Sequence, residues 1–487
     1  MENGDVDDQL FEVAVGPPSK AATPSSVTAK TFRHYDPSQS FLLPPSLDDW
    51  LPEDHEARFI SEAVDDLLDL SVIYASYATA DGAPPYDPRM MLKLLLYSYS
   101  IGVTSSREIE RRCVTDVAFR FLSANAAPDY RSMARFRRRH LGALDDLFTQ
   151  VLVLCATAGL LKLGRVALDG TKLRASASRH KAMSYDHMKK KIEQLDAEVR
   201  EILAEAEAID REEDEAFGAD RRGDEVPAEL ARRETRIAKM REAMKAIEAE
   251  AKERAGAKKI KNAERTNDEK ITEAAEQAGE QAKPAAKAQR NFTDSESRIM
   301  KTADGSFHYA YNAQAVVDEK NQVVLAGLVT QQATDVNQLT PMIEAMGNQL
   351  VRAGVEDRPK VLLADAGYFS KDNLDALVED DLDALVATGR LTHDERVTAA
   401  PRGRIPKNTT AKQRMARRLR TKAGRADYAR RKAIVEPAFG QMKVRQHAGH
   451  LRLRGLDGAR GEWTLHLVCH NLRKLANAGG SAAIATP

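Results

Sequence analysis

The sequence predicts a mixed α/β layer structure with an all-α domain in front of it and one antiparallel coiled-coil hairpin inserted into it. Three observations predict this class. The first third of the chain has helical periodicity, apolar strands then alternate with amphipathic helices, and a heptad repeat separates the first strand from the rest. The chain has 487 residues. Such a length suggests roughly two to four domains.

The front domain is predicted over residues 39–160, after a disordered tail at 1–38 that mixes Ser, Pro, Ala and acidic residues without periodicity. Pro88 marks one helix start, because proline is favoured in the first helical turn. Asp129 marks another, because its side chain can cap a helix N-terminus.

The helix after Asp129 is rich in arginine and includes Arg135 and Arg138. Residues 89–140 contain 11 basic and 4 acidic residues, a net charge of +7. This pattern is typical of a helix-turn-helix-like DNA-binding unit. It is equally typical of a helical bundle with a solvated arginine face, and both interpretations stay open.

The first strand and the insertion follow this domain. An apolar run over 166–168 enters Asp169, which predicts a buried strand that delivers a carboxylate near its end. Residues 181–290 are predicted as a coiled-coil hairpin and linker, because apolar residues between 186 and 252 recur at alternating steps of four and three. Glycine and proline between 218 and 227 separate the two arms. They argue against the alternative, a single long solvated helix.

The remaining strands and helices complete the α/β layers. A hairpin is predicted from 307–317 and 322–329, followed by an amphipathic helix capped by Asp335. A second apolar strand at 361–364 ends at Asp365, and a helix around Trp463 closes the core. The layers therefore comprise residues 161–180 and 291–478, with a flexible tail at 479–487.

Three acids are candidates for catalysis. Asp169 and Asp365 each follow an apolar strand, whereas Glu436 lies in a stretch, 401–460, with 18 basic and 3 acidic residues and a net charge of +15. Carboxylate oxygens suit Mg²⁺, and two such ions suit phosphoryl transfer. The alternative for Glu436 is a surface ion pair, which stabilises a protein little.

Five motifs in order resemble bacterial insertion-sequence transposases of the Asp-Asp-Glu (DDE) class, in the group with a Tyr–Arg–Glu–Lys signature. The motifs are Asp169-Gly-Thr, Asn291 to Lys301, Tyr311-Asn-Ala-Gln314, Leu363-Ala-Asp365-Ala-Gly-Tyr368 and Val435-Glu436-Pro-Ala-Phe-Gly440. Residues 40–140 resemble the helical N-terminal domain of these enzymes. The resemblance implies a ribonuclease-H-like catalytic core. It also implies an enzyme that cleaves DNA at terminal inverted repeats and joins the 3′ ends to target DNA.

The resemblance also implies the site residues. Asp169, Asp365 and Glu436 would bind two Mg²⁺ ions, for which Mn²⁺ could substitute. The residues expected to contact DNA phosphate are Tyr428, Arg431, Lys432 and Lys443, with Arg135 and Arg138 in the front domain. Lys443 fits the family spacing from Glu436, whereas Arg431 is one residue too far and Lys432 has the expected spacing. The implied partner is double-stranded DNA, both element ends and target, with a homodimer assembled on it.

Other functions compete for parts of the same sequence. His447, His450, His466 and Cys469 suggest a zinc site only if all four converge. A catalytically inert DNA-binding protein and a coiled-coil assembly protein are the alternatives from other classes. Lys plus Arg and Asp plus Glu both total 73, which excludes a uniformly basic protein. The three dispersed cysteines and the absence of a long apolar run predict a cytoplasmic protein without a membrane partner. The resemblance to transposases implies association with the nucleoid when the protein is bound to DNA.

Overall fold

The computed structural model describes residues 46–77, 84–178, 181–217, 228–263, 271–389 and 400–485, without 402 and 407. The predicted tail at 1–38 and the turn at 218–227 lie outside these residues. The predicted tail at 479–487 contains a short helix, Ser481–Ala485. Among the described residues, no helix is both long and apolar enough to cross a bilayer.

Eight α-helices and one π-helix, Ala63–Leu67, precede the first strand within the described residues. Their N-termini follow local capping chemistry: the Asp87 side chain accepts a hydrogen bond from the backbone N–H of Arg89, and Asp129 accepts from those of Arg131 and Ser132. The bounds are α1 Leu47–Trp50, α2 Glu56–Glu62, α3 Ser71–Ala75, α4 Pro88–Ser100, α5 Ser106–Thr115, α6 Val117–Leu122, α7 Tyr130–Arg139 and α8 Ala143–Thr157.

A mixed six-stranded sheet forms the centre of the α/β part. Its strands are β1 Arg165–Arg174, β4 Arg298–Lys301, β5 Phe307–Asp318, β6 Val324–Thr330, β7 Val361–Ala364 and β8 Ala384–Val386. The order is β4-β5-β1-β7-β8, and β6 pairs with the same edge of β5 as β4 does. The pairs of β1 with β7 and of β7 with β8 are parallel, and the pairs that involve β5 are antiparallel.

Helices in the second half of the chain pack on this sheet. They are α12 Leu339–Arg352, α13 Lys371–Glu379, α14 Ala411–Arg420, α15 Lys422–Val444, α16 Leu456–Asn477 and α17 Ser481–Ala485. The Asn471 side chain fixes α16 to β6, because its amide donates to the carbonyl of Val324 and accepts from its N–H, both at 2.8 Å. The predicted hairpin and closing helix are therefore present.

A buried polar network joins the front helices to α16. The Glu462 side chain is fully buried and accepts hydrogen bonds from the hydroxyl of Tyr99 at 2.9 Å and from the backbone N–H groups of Arg452 and Leu453 at 2.7 and 2.8 Å. Arg137 donates to the same Tyr99 hydroxyl at 2.6 Å. Burial raises the pKa of Glu462, and these donors oppose the rise.

The insertion contains two long helices, α9 Tyr185–Phe217 and α10 Ala228–Ala263. Glu198 pairs with Arg233 and Asp196 with Arg241, at 3.0 and 2.8 Å, so the helices run antiparallel. Their shared apolar contact consists of Met188, Leu195, Ile237, Met240, Ala243 and Ile247. Because the residues between the helices are not described, the coiled-coil hairpin stays a prediction.

The base of the insertion meets the sheet through three short elements: β2 Ala182–Ser184, β3 Gln289–Asn291, which pairs with β2, and α11 Ile271–Glu280, which packs along α10. The sequence predicts a mobile or helical linker over 253–290, which α11 fits, whereas β2 and β3 are not predicted. Glu250 of α10 forms ion pairs with Arg290 of β3 at 2.6 Å and with Arg298 of β4. The insertion is therefore connected to the edge of the central sheet by a carboxylate shared between two arginines.

Candidate active site

Two of the predicted acids lie on neighbouring parallel strands. The β1–β7 ladder ends at the pair Leu168 and Ala364, and Asp169 and Asp365 are the next residues. Asp365 leaves the sheet here, as predicted. Asp169 does not end its strand, because β1 continues to Arg174 in antiparallel pairing with β5. The prediction of a carboxylate near a strand end is thus wrong for β1 as a whole, although Asp169 does follow the end of its parallel segment.

Asp169 is paired with a cation. Its Oδ2 accepts a hydrogen bond from Nη1 of Arg431 at 3.0 Å, and its Oδ1 accepts from the backbone N–H of Gly170 at 2.8 Å. Burial raises the pKa of Asp169, Arg431 opposes that rise, and the charge of Asp365 adds to it. The charge of Asp365 therefore acts on Asp169, of whose side chain only 23% is exposed.

Asp365 begins a tight 3₁₀ turn, Ala366–Tyr368, and its Oδ1 accepts from the backbone N–H of Gly367 at 2.8 Å. A Cβ at position 367 would lie 3.0 Å from that oxygen, so a larger residue there would require the carboxylate to shift. The glycine of the Asp-Ala-Gly-Tyr motif thus allows the carboxylate to sit against the turn.

Glu436 is not brought to the other two acids. It lies on α15 with 57% of its side chain exposed, and its nearest cation is Lys432 at 3.9 Å. Arg431, on the same helix, contacts Asp169 at 3.0 Å, whereas Glu436 is mostly exposed. Across the described parts of the chain, no three His, Cys, Asp or Glu side chains are grouped to hold a metal ion. The four residues considered for zinc form no such group either.

The predicted DNA-contact residues of α15 fall into two environments. Tyr428 is half-buried beside Arg431, and burial raises the pKa of its hydroxyl. Lys443 is also half-buried, and burial lowers its pKa while the nearby charge of Asp169 opposes the change. Lys432 has 73% of its side chain exposed. Arg431 therefore contacts Asp169, and Tyr428 and Lys443 lie close enough to sense its charge, whereas Lys432 is exposed beside Glu436.

A fourth carboxylate, Asp335, lies at the same site. Its Oδ1 accepts hydrogen bonds from Lys172 at 3.1 Å, Asn312 at 2.7 Å and Gln314 at 2.9 Å. Asp335 does occupy the N-cap position of the 3₁₀ turn Val336–Gln338 that precedes α12, as predicted, but its side chain makes no capping hydrogen bond. Asn312 and Gln314 alternate with apolar residues on β5 and are fully buried, which is the sequence signal for a buried polar partner.

Comparison with known families decides the identity. Residues 45–139 match the family described as Transposase domain (DUF772), and residues 275–472 match the Transposase DDE domain. The chain belongs to the insertion-sequence DDE transposases. A DDE domain implies a ribonuclease-H-like fold, and the mixed sheet with its many helices fits it. No curated protein and no solved structure matches the transposase.

The DDE match includes Asp365 and Glu436 but begins after Asp169. The assignment of Asp169 therefore depends on its motif and on its place beside Asp365. In the front domain of the transposase, Arg135 and Arg138 of α7 are exposed, whereas Arg137 between them is buried against Tyr99. The arginine-rich helix thus has both an exposed and a structural face.

DDE transposase domains generally use divalent metal ions. The donor chemistry at Asp169 and Asp365 fits such an ion, because both are hard oxygen ligands and their repulsion favours a shared cation. In this transposase the guanidinium of Arg431 supplies positive charge to Asp169. Glu436 would have to approach from α15 to complete a set of three.

Proposed function

We propose that the transposase cleaves DNA at the terminal inverted repeats of its insertion sequence and joins the 3′ ends to target DNA by metal-dependent phosphoryl transfer. The observation that carries this proposal is the placement of Asp169 and Asp365 directly after the last pair of two parallel strands, with their charges coupled. Such a pair, at the carboxyl ends of two parallel segments, can receive a phosphodiester between its side chains and the basic helix α15.

In this proposal Asp169, Asp365 and Glu436 hold two Mg²⁺ ions, with Mn²⁺ as a substitute. A divalent ion bound there supplies Lewis acidity to the phosphoryl transfer. Arg431 exchanges its contact with Asp169 for a DNA phosphate, and Tyr428 beside it fixes the same strand. Lys443 contributes a cation from a half-buried position, where its charge acts with little screening.

The test is Mg²⁺-dependent nicking of DNA that carries the cognate ends. We expect wild-type transposase to cleave and Asp365→Ala to be at least about a hundredfold slower. Asp375→Ala is the matched control, because Asp375 is an exposed acid on α13. Equal cleavage by wild type and Asp365→Ala would refute the site assignment. If neither cleaves although both bind, the alternative of an inert DNA-binding protein gains support. The structural arguments for it are the exposure of Glu436 and the lack of a three-acid group among the described residues.

Basic residues of α7 and of 401–460 are proposed to bind DNA, with the front domain adding recognition of the ends. Binding is expected to depend steeply on salt, because each phosphate that the protein neutralises releases counterions. Replacing both Arg135 and Arg138 by Ala should make the plot of the logarithm of the binding constant against the logarithm of the salt concentration less steep by about 1.8, because each neutralised phosphate accounts for about 0.9. An unchanged slope would support the bundle with a solvated arginine face.

The insertion is proposed to support a homodimer assembled on DNA or to clamp a second DNA end, and the heptads motivate this role. Deletion of 186–252 should reduce the sedimentation coefficient of the DNA complex to that of one protomer per end. An unchanged oligomeric state with normal pairing of ends would contradict this role and would favour a purely structural insertion.

A further inference from the structure

Asp335 touches the backbone beside both strand acids. A Cβ placed on Gly170, the residue after Asp169, would lie 3.0 Å from Oδ1 of Asp335. A Cβ on Gly367, two residues after Asp365, would lie 3.6 Å from Oδ2 of Asp335. The two oxygens of one carboxylate therefore lie against the two segments whose relative position sets the distance between Asp169 and Asp365.

The hydrogen bonds of Asp335 hold these segments in place. Lys172 belongs to β1, and Asn312 and Gln314 belong to β5, so the three donors to Oδ1 come from both strands of one antiparallel pair. Gln314 then accepts from the hydroxyl of Tyr368, the last residue of the turn that Asp365 begins. A continuous chain of hydrogen bonds thus runs from β1 through Asp335 and Gln314 to the Asp365 turn.

The members of this chain have little freedom to move. Asn312 and Gln314 are fully buried, and Tyr368 is 1% exposed. The backbone of Gly170 packs tightly against Gln314, because a Cβ at position 170 would lie 2.4 Å from Nε2 of Gln314. Lys172 balances the charge of Asp335, with 17% and 26% of the two side chains exposed. A fully satisfied buried network of this kind fixes one arrangement of its neighbours.

We propose that Asp335 is a positioning residue that sets the separation and orientation of Asp169 and Asp365 for metal binding, through Lys172 on one side and through Gln314 and Tyr368 on the other. This inference rests on the proposed metal site. Groups that orient metal ligands without touching the metal typically contribute about 10- to 100-fold to affinity. The role differs from that of a general negative charge, because it depends on where the carboxylate sits.

The experiment measures Mn²⁺ binding to the full-length transposase by electron paramagnetic resonance, with thermal unfolding of each variant recorded in parallel. We expect Asp335→Asn to weaken Mn²⁺ binding about tenfold or more. Asp335→Glu keeps the charge but moves the carboxylate by one methylene, so we expect its binding to stay close to that of Asp335→Asn. Full recovery of affinity in Asp335→Glu would show that the charge alone matters and would overturn the positioning role.

The matched control is Asp304→Asn. Asp304 lies in the β4–β5 turn, where it accepts hydrogen bonds from the hydroxyls of Thr302 and Ser306 and from Arg174 of β1. This variant should bind Mn²⁺ as wild type does. Should Asp335→Asn fail to fold, Tyr368→Phe decides, since it removes only the hydroxyl at the far end of the chain. We expect about threefold weaker binding there, and unchanged binding would overturn the proposal.

Asp169→Asn separates the positioning role from the metal site itself. If it abolishes Mn²⁺ binding while Asp335→Asn binds as wild type with an unchanged unfolding temperature, only the positioning role fails. If Asp169→Asn itself binds as wild type, the proposed metal site fails and the positioning role fails with it.

Discussion

Arg431 occupies the place where a divalent ion would neutralise Asp169. The ion pair measures 3.0 Å, and only 12% of the Arg431 side chain and 23% of the Asp169 side chain are exposed. A metal ion that binds Asp169 must therefore compete with the guanidinium. We predict that Arg431→Gln, which removes the charge and keeps much of the side-chain bulk, raises the affinity of the transposase for Mn²⁺ in the absence of DNA.

The structure sets the size of this effect. Two unit charges about 4 Å apart attract by about 4 kcal/mol at an effective dielectric constant near 20. Displacing the guanidinium costs less than this attraction, because the released arginine regains hydration in solvent. We therefore expect a gain of about 10- to 100-fold in affinity, or about 1.4 to 2.8 kcal/mol. Without metal, the same variant should have an unfolding free energy lower by about 3 kcal/mol, because it leaves Asp169 buried without its cation.

The assay titrates Mn²⁺ calorimetrically into wild type, Arg431→Gln and the control Arg430→Gln. Arg430 is exposed on the same helix, so its variant changes the net charge equally but leaves the Asp169 pair intact. We expect the control to match wild type. Equal or weaker binding by Arg431→Gln would refute the idea of competition and would indicate that Arg431 supports the metal ligands.

Three further predictions concern stability. Glu462→Ala should lower the free energy of unfolding, measured in urea, by about 4 kcal/mol, because it leaves two buried backbone N–H groups without an acceptor. The control is Asp457→Ala on the same helix, where the acid is 94% exposed, and it should change this free energy by less than about 0.5 kcal/mol. Burial lowers the pKa of His466 to about 3, whereas in the unfolded chain the imidazole takes up a proton near pH 6.5. The neutral imidazole therefore contributes its whole share to the unfolding free energy above pH 6.5, and this share is lost as the pH drops toward 3. His466→Leu should flatten the dependence of the unfolding temperature on pH over this range. Gly327→Ala should lower the unfolding temperature by several degrees, because its Cβ would lie 2.9 Å from Nε1 of Trp463 and α16 would have to shift.

Local chemistry explains which parts of the fold were predictable. Proline at 88 and the capping acid Asp129 determine helix starts within a few residues, and the apolar run before Asp365 ends where its strand ends. Asp169 differs, because β1 continues past it in pairing with β5, and the partners of Gly170 and Thr171 are Gln314 and Ala313. That register is set far along the chain, so the sequence around Asp169 does not reveal it.

The sequence predicts a residue of the candidate site only where the neighbouring residues in its own motif determine where its side chain lies. Asp169 and Asp365 share a site because their strands are neighbours. Asp335 resembles a helix cap in sequence, and its hydrogen-bond partners are hidden because they come from strands distant in sequence. Glu436 has the expected motif but faces solvent on α15, since the orientation of a helix about its axis depends on tertiary packing that a motif does not encode.

The order of the strands has a consequence for synthesis. β1 pairs with β5 across the whole insertion, with Asp169 opposite Ala315. At ribosomal rates of roughly 5 to 20 residues per second, β5 emerges on the order of ten seconds after β1. The two insertion helices have local partners, such as Glu198 with Arg233, and they are complete in that interval. Their early pairing brings the ends of the intervening chain closer together, which lowers the entropic cost of closing the loop between the two strands. The predicted hairpin would therefore fold as a local unit before β1 pairs with β5.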